Sequence, residues 1–109
     1  MANVYRNAKI DFTNTDNTTV YTSPSNSRAI IKNILVSDDS GSGDSITVTL
    51  TDASAAVFSL FKTKAVAANA TEELISQPII LQESEILKAQ ATTAGRLHMV
   101  VSLLEINRD

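Results

Sequence analysis

Residues 45–51 read Ser45-Ile46-Thr47-Val48-Thr49-Leu50-Thr51, a strict alternation of apolar and hydroxyl side chains. Successive side chains of an extended chain point to opposite faces, so the apolar residues share one face and the threonines share the other. This pattern predicts a half-buried β-strand. We expect its threonine face to be exposed, as a flat polar surface suited to lateral contacts.

A longer apolar segment, Arg28 to Ser37, precedes this strand. Strict alternation would divide its apolar side chains between two faces, with Ile30, Ile34 and Val36 on one and Ile31 and Leu35 on the other. The polar sequence SDDSGSGD, residues 37–44, separates the two segments. Its glycines and aspartates are typical of a turn, so we predict that it joins the two strands as an antiparallel hairpin.

The C-terminal segment Leu97 to Ile106 is nearly continuous in apolar residues. A strand that is apolar on both faces is typical of a position covered on both sides, so we predict that it lies centrally in its sheet. Weaker strand patterns occupy further segments along the chain: Val4 to Phe12, Thr18 to Thr22, Glu72 to Ser76, Ile79 to Leu81 and Glu85 to Ala91.

Residues 53–70 fit two kinds of secondary structure. Their alanines and large apolar residues suit helical spacing about as well as strand spacing, and Asp52 or Ser54 could cap such a helix. The dense run Val57-Phe58-Ser59-Leu60-Phe61-Lys62 suits a pleated surface, and strand patterns flank it on both sides. We therefore predict a strand here.

Turn-forming residues recur at intervals of roughly 8–12 residues, the spacing typical of all-β sandwiches and barrels. A length of 109 residues favours one domain. We predict that residues 1–109 form a single all-β domain, a two-sheet antiparallel β-sandwich of about eight strands. The pattern is compatible with both jelly-roll and immunoglobulin-like connections.

The composition excludes several classes of function. Nine basic residues against twelve acidic ones, a net charge of −3, leave no basic excess for binding a nucleic-acid backbone. The absence of cysteine excludes disulfides, thiolate metal sites and cysteine nucleophiles. An apolar run long enough to span a membrane and a secretory signal are both missing from the sequence. We therefore expect a complete, soluble chain with no nucleic-acid or membrane partner.

The sole histidine, His98, lies in the most apolar predicted strand. A hydrolase built around it would need a nucleophilic serine and an orienting carboxylate, and the sequence has no G-x-S-x-G elbow to supply the serine. We favour the interpretation that His98 is a strand residue on a face or near an edge. The chain is predicted not to be an enzyme.

Acidic residues offer two further candidate sites. Asp38, Asp39 and Asp44 surround a Gly-Ser loop, but the loop lacks the terminal glutamate of a calcium-binding pattern, so a solvated hairpin tip is favoured. Glu72 and Glu73 are adjacent on a strand and point to opposite faces, so they cannot share a proton. Glu83 and Glu85 would share a face, but they flank a turn, where carboxylates are usually solvated. We predict no metal and no cofactor.

Four segments together resemble the small β-sandwich virion proteins of tailed bacteriophages: Thr18-Thr19-Val20-Tyr21-Thr22-Ser23-Pro24, Arg28 to Ser37, Ser45 to Val48, and Gly95 to Ile106. In that family a V-Y-T-x-P turn precedes an I-x-K-x-I-x-V-S strand, and a final V-V-V-S-x-L-E-I strand closes the fold. The resemblance implies a non-enzymatic structural component of the virion, assembled in the bacterial host cytoplasm. It would decorate or cement the head, or belong to the tail, as a homo-oligomer in contact with other capsid or tail proteins. The family has no site residues to carry over.

Four residues are candidates for such contacts: Ile31, Leu35, Val100 and Leu104. The alternative is that these side chains complete the interior of the sandwich. A second hypothesis is a carbohydrate-binding or receptor-binding module of a phage adhesin. Sugar sites usually present aromatic platforms, and the chain has no tryptophan and only these other aromatics: Tyr5, Tyr21, Phe12, Phe58 and Phe61.

Overall fold

The computed structural model of the protein describes residues 2–107. These residues form nine β-strands and no helix. The strands are β1 (Ala2–Asp11), β2 (Thr18–Thr22), β3 (Ser27–Asp38), β4 (Asp44–Thr51), β5 (Val57–Val66), β6 (Thr71–Glu73), β7 (Ile79–Leu81), β8 (Ile86–Ala91) and β9 (Leu97–Asn107).

The strands form two antiparallel sheets that pack face to face. In the five-stranded sheet the order is β1-β9-β3-β6, and β7 also pairs with β3. In the four-stranded sheet the order is β2-β8-β4-β5. This confirms the predicted two-sheet β-sandwich and the central position of the C-terminal strand. The strand order is that of a jelly roll, one of the two connection schemes that the sequence pattern allowed.

The predicted hairpin between β3 and β4 is wrong. The two strands belong to different sheets, and β4 pairs with β5 and β8 instead. The loop between them leads the chain from one sheet to the other, and the Asp38 carboxylate holds it through hydrogen bonds to backbone N–H groups. One carboxylate oxygen of Asp38 accepts a hydrogen bond from the Ser40 backbone at 3.0 Å. The other accepts from the backbone N–H groups of Gly43 at 2.9 Å and Asn69 at 3.1 Å.

The predicted faces of β3 need a similar correction. The register between β3 and β9 shifts directly after Ile31, so strict alternation is interrupted there. As a result Ile31 points to the core together with Ile34 and Val36, and all three are fully buried. Ile30 and Leu35 lie on the opposite, outer face. A bulge of this kind leaves no distinct signal in a uniformly apolar segment.

Residues 57–66 form strand β5, which resolves the ambiguity between helix and strand in favour of the prediction. The strand lies at the edge of its sheet, and its register with β4 shifts twice. Thr63 within it has a positive φ of 50°. Because only one neighbour covers β5, most of its residues are exposed, which explains its weak alternation of apolar and polar side chains.

The threonine face of β4 is less exposed than predicted. Thr49 and Thr51 are only 8% and 9% exposed. Both lie in the interior of their sheet, where Lys88 and Ile86 on β8 are their direct partners and β5 lines the other side. Longer neighbouring side chains can cover a short threonine side chain, so this face offers less flat polar surface than the sequence indicates.

Apolar side chains from the two inner faces form the core. Its largest fully buried members are Phe12, Ile31, Ile34, Ile46, Leu81, Leu87, Leu97, Met99, Leu103, Val36, Val48 and Val66. Burial of each side chain of this size contributes about 1.5–3 kcal/mol relative to exposure. The core is formed by the inner faces, so the outward-facing residues of both sheets can be either polar or apolar. On the five-stranded sheet some of them are apolar.

Candidate interaction surface

An apolar row crosses the outer face of the five-stranded sheet. Tyr5 on β1 is the direct partner of Leu104 on β9, Leu104 is the partner of Ile30 on β3, and Ile30 is the partner of Ile80 on β7. Tyr5 is 74% exposed and Ile80 is 60% exposed. These four residues, which we call the apolar row, form a continuous strip across four strands because cross-strand partners lie only about 5 Å apart.

A second exposed apolar contact lies on the same face. Leu35 on β3 and Val100 on β9 are direct partners, 36% and 40% exposed. A polar strip of Asn7, Ser102 and Asn33 separates this pair from the apolar row. We use the name outer patch for the apolar row together with Leu35 and Val100.

Three of the four predicted interface residues lie in the outer patch. They are Leu35, Val100 and Leu104, which the pairing of β3 with β9 brings to one face of the sheet. Ile31 does not join them, because the bulge in β3 turns it into the core, where it is fully buried. For Ile31, therefore, the alternative of a core side chain is the one that the structure shows. Sequence reasoning missed Ile80, which a three-residue strand places at the end of the row.

Basic side chains border the outer patch. The ammonium group of Lys32 lies 5.6 Å from the centroid of the Tyr5 ring, within the range of a cation–π interaction. Lys9 is the direct partner of Val100, and Arg28 is the partner of Ile106. One acidic side chain also borders it, because Glu73 on β6 is the direct partner of Leu35. The outer face therefore combines exposed apolar area with charges of both signs.

A shallow cleft of about 350 Å³ lies beside Tyr5, and its lining also includes Asn7, Lys32 and Ser102. The five aromatic residues do not form a sugar platform around it. Phe12 is buried, and the other exposed aromatic side chain, Phe58, belongs to the four-stranded sheet. Tyr5 is thus the only exposed aromatic side chain on the outer face of the five-stranded sheet within residues 2–107.

His98 lies on the outer face of β9, half-exposed. Its Nε2 is 3.1 Å from Asp11 Oδ1, and its Nδ1 is 3.6 Å from Asp39 Oδ2. Both ring nitrogens face carboxylates, whereas a hydrolase would need a nucleophilic hydroxyl at one of them. The arrangement is that of a surface histidine between two carboxylates rather than of a base beside a nucleophile.

The acidic residues around the β3–β4 loop do not all form the solvated tip that the sequence indicates. Asp38 is buried rather than solvated. The Ser40 hydroxyl and the surrounding backbone N–H groups hold the pKa of Asp38 well below its usual range. Within residues 2–107 no group of three or more metal-ligating side chains could hold an ion. The same part of the chain has no helix long and apolar enough to cross a membrane.

A polar cluster inside the sandwich joins the two sheets. Glu105 on β9 is only 5% exposed. Its Oε1 accepts a hydrogen bond from the Tyr21 hydroxyl at 2.5 Å, and its Oε2 accepts from Arg6 Nε at 3.3 Å. The hydrogen bond from Tyr21 lowers the pKa of Glu105, and burial raises the pKa of Tyr21. Glu105 lies two and four residues after Leu103 and Val101 on the same strand, so its side chain points to the same inner face. This alternation is the sequence signal for an inward-facing carboxylate.

No family model matches the chain, and no curated protein sequence matches it. Solved structures do match its fold. A chain of the Bacillus endospore appendages, described as a novel family of disulfide-linked pili, aligns with a TM-score of 0.57 and 14% identity, over 98% of this chain and 89% of that one.

A chain of the acid-stable capsid of Helicobacter pylori bacteriophage KHP30 aligns with a TM-score of 0.57 and 8% identity, over 97% of this chain and 89% of that one. Identities this low show a common fold and nothing finer. The chain therefore has the same β-sandwich fold as a pilus protein and a phage capsid protein.

Proposed function

We propose that this chain is a non-enzymatic structural subunit of a bacteriophage virion, which acts through contacts with other copies of itself or with other capsid or tail proteins. The observation that carries the proposal is the outer patch. Four of its members are large apolar side chains with more than a third of their surface exposed, in a protein whose other apolar residues are mostly buried: Tyr5, Leu35, Ile80 and Val100.

Exposed apolar area of this kind favours association. Removing apolar surface from water stabilises a contact by about 25 cal/mol per Å². A standard interface buries about 800 Å² on each partner, and the chain exposes 5880 Å² in total. One such interface would therefore cover about a seventh of the surface.

The likeness in fold to a phage capsid protein supports a role in a particle. Assembly by covalent links between cysteines, as in the disulfide-linked pili, is not open to this chain, because it has no cysteine. Its contacts would be non-covalent, with the outer patch at their centre. The charged side chains at its rim, Lys9, Lys32 and Glu73, would select a partner surface of complementary charge. Decoration of the head and a place in the tail both fit this mode of contact.

Purified particles of a phage that encodes this chain provide the test. Mass spectrometry and electron microscopy should find the protein in stoichiometric amounts in the virion. Leu35→Glu and Val100→Glu should each reduce its incorporation, because each replaces an exposed apolar side chain of the outer patch by a carboxylate. The matched control is Thr19→Glu, which adds the same charge at an exposed position of the other sheet.

Circular dichroism and thermal unfolding must show that all three variants fold. Absence of the wild-type protein from virions would overturn the proposal. Equal incorporation of the three variants would exclude the outer patch as the contact. A saturable and competable signal on a glycan array would instead favour the adhesin hypothesis.

A further inference from the structure

Strand β1 forms one edge of the five-stranded sheet, and its outer side has no strand partner within residues 2–107. On its inner side it pairs with β9 over ten consecutive residue pairs without any shift of register. A long, regular edge strand of this kind presents a row of unpaired backbone groups, which favours the addition of another strand.

The other strand edges of the molecule are interrupted. β5 has two register shifts and a residue with positive φ. β2 has five residues and one register shift, and β6 and β7 have three residues each. β1 contains neither a proline nor a bulge. Its one inward-facing charge, Arg6, forms an ion pair with Glu105 at 3.3 Å. Among the described edges, β1 is therefore the longest that no bulge or proline interrupts.

The register of β1 shows which of its backbone groups are free. The N–H of Phe12, directly after β1, donates to the carbonyl of Leu97 at 3.1 Å. Hydrogen-bonded residues alternate along an antiparallel pair, so even-numbered residues of β1 direct their backbone groups to β9. The odd-numbered residues direct theirs outward: Asn3, Tyr5, Asn7, Lys9 and Asp11. The carbonyl of Asp11 already accepts from the backbone N–H of Thr13 at 2.9 Å, so the free row runs from Asn3 to Lys9.

We infer that two copies of this chain join edge to edge along β1, in an antiparallel arrangement centred on Asn7, so that one sheet runs through both copies. This contact goes beyond the proposed virion role. It uses the edge of the sheet instead of its outer face, and it applies whether or not the chain belongs to a phage particle.

Charge favours the register centred on Asn7 over the other symmetric register that β1 allows. Two symmetric registers use nearly the whole of β1, one centred on Arg6 and one centred on Asn7. The first would place Arg6 directly opposite Arg6 of the second copy, and like charges in that position are destabilising. The second places Arg6 opposite the small side chain of Ala8 and so avoids the repulsion.

The register centred on Asn7 also forms favourable pairs. Tyr5 lies opposite Lys9 of the second copy, which allows a cation–π contact. Val4 lies opposite Ile10 on the inner face, which extends the apolar interior across the boundary. At the two-fold axis, the amide of Asn7 meets its own copy and can both donate and accept a hydrogen bond.

The chain has no cysteine, so a single introduced cysteine reports the register without background. Hydrogen-bonded partners in an antiparallel pair have Cα atoms about 5.5 Å apart, which lies within the range that a disulfide spans. Asn7→Cys should therefore produce a covalent dimer on mild oxidation. The matched control is Asn3→Cys, exposed on the same edge. Its copies would lie about 27 Å apart, eight residues along the strand.

The solution mass gives a second, independent readout. Light scattering of the wild-type protein should show a doubling of mass with rising concentration. Asn7→Pro should abolish this increase, because it removes an outward-directed N–H and leaves the bonds to β9 intact. The inference is overturned if the wild-type protein stays monomeric, or if Asn7→Cys and Asn3→Cys cross-link at equal rates. Leu35→Glu and Val100→Glu should leave cross-linking unchanged, which separates this contact from the outer patch.

Discussion

The hydroxyl of Tyr21 on β2 donates a hydrogen bond to the carboxylate of Glu105 on β9 over 2.5 Å, and so connects the two sheets from inside the sandwich. The second carboxylate oxygen of Glu105 accepts from Arg6 on the edge strand β1 at 3.3 Å. One buried carboxylate therefore links three strands. Because buried hydrogen bonds to charged groups are costly to break, this cluster should contribute measurably to stability.

Tyr21→Phe is expected to lower the free energy of unfolding by about 1.5–3 kcal/mol, the usual contribution of a hydrogen bond to a charged group. The substitution keeps the ring and removes only the donor. Urea denaturation measures the change. The matched control is Tyr5→Phe, since Tyr5 is 74% exposed and surface changes usually stay within about 0.5 kcal/mol. Equal losses in the two variants would contradict a special role for the bond between Tyr21 and Glu105.

Stability is expected to fall in acid because the pKa values of both Glu105 and Asp38 are lowered in the fold. In the unfolded chain these carboxyls take up protons near their ordinary values of 4.5 and 3.8, whereas the folded protein keeps them ionised at lower pH. The unfolded state therefore binds more protons in this range, so the free energy of unfolding decreases as the pH falls below about 5.

Urea denaturation at successive pH values, from neutral to acid, tests this expectation. Glu105→Gln should flatten the acid slope, because one of the two carboxyls no longer takes up a proton on unfolding. Part of the slope should persist through Asp38. An unchanged slope in Glu105→Gln would contradict the role assigned to Glu105.

The strands themselves could be predicted from the sequence wherever two-residue alternation is strong or an apolar run has the length of a strand. The segment Ser45 to Thr51 and the segment Leu97 to Ile106 became β4 and β9 nearly residue for residue. Their pairing could not be predicted in the same way. Alternation shows which side chains face the core, but β3 and β4 would alternate equally well as hairpin partners or on opposite sheets.

The candidate surface was predictable in part for the same reason. Leu35, Val100 and Leu104 follow from alternation within β3 and β9, whereas Ile31 changes face because of a bulge that no turn residue marks. The hydrogen-bond partners of Glu105 could not be predicted from the sequence either. Tyr21 is 84 positions away in the chain, and only the packing of the two sheets brings it within hydrogen-bond distance.

Asp38→Asn is expected to lower the melting temperature more than Asp39→Asn. The Asp38 carboxylate accepts hydrogen bonds from Ser40, Gly43 and Asn69, and an amide would turn one acceptor oxygen into a donor that faces other donors. The Asp39 side chain is 68% exposed, and its 3.6 Å contact with His98 lies at the surface, where contacts between such groups contribute little to stability. Thermal unfolding measures both. A larger loss for Asp39→Asn would contradict the buried role of Asp38.

Alanine substitutions at Gly43 and Gly95 allow the cost of backbone strain to be measured apart from the cost of steric crowding. Their φ values are nearly the same, +74° and +75°. A β-carbon at Gly43 would lie 3.1 Å from the carbonyl oxygen of Val66 and 3.3 Å from the backbone nitrogen of Ala68, whereas one at Gly95 would meet nothing within 4 Å.

Gly95→Ala should therefore cost about 1–2 kcal/mol, the penalty for a left-handed conformation alone. Gly43→Ala should cost clearly more, because the loop after β5 must also move away. The difference between their free energies of unfolding in urea isolates the crowding. Equal losses would mean that this loop yields freely, and that the close contact between the β3–β4 connection and β5 does not help to hold the two sheets in place.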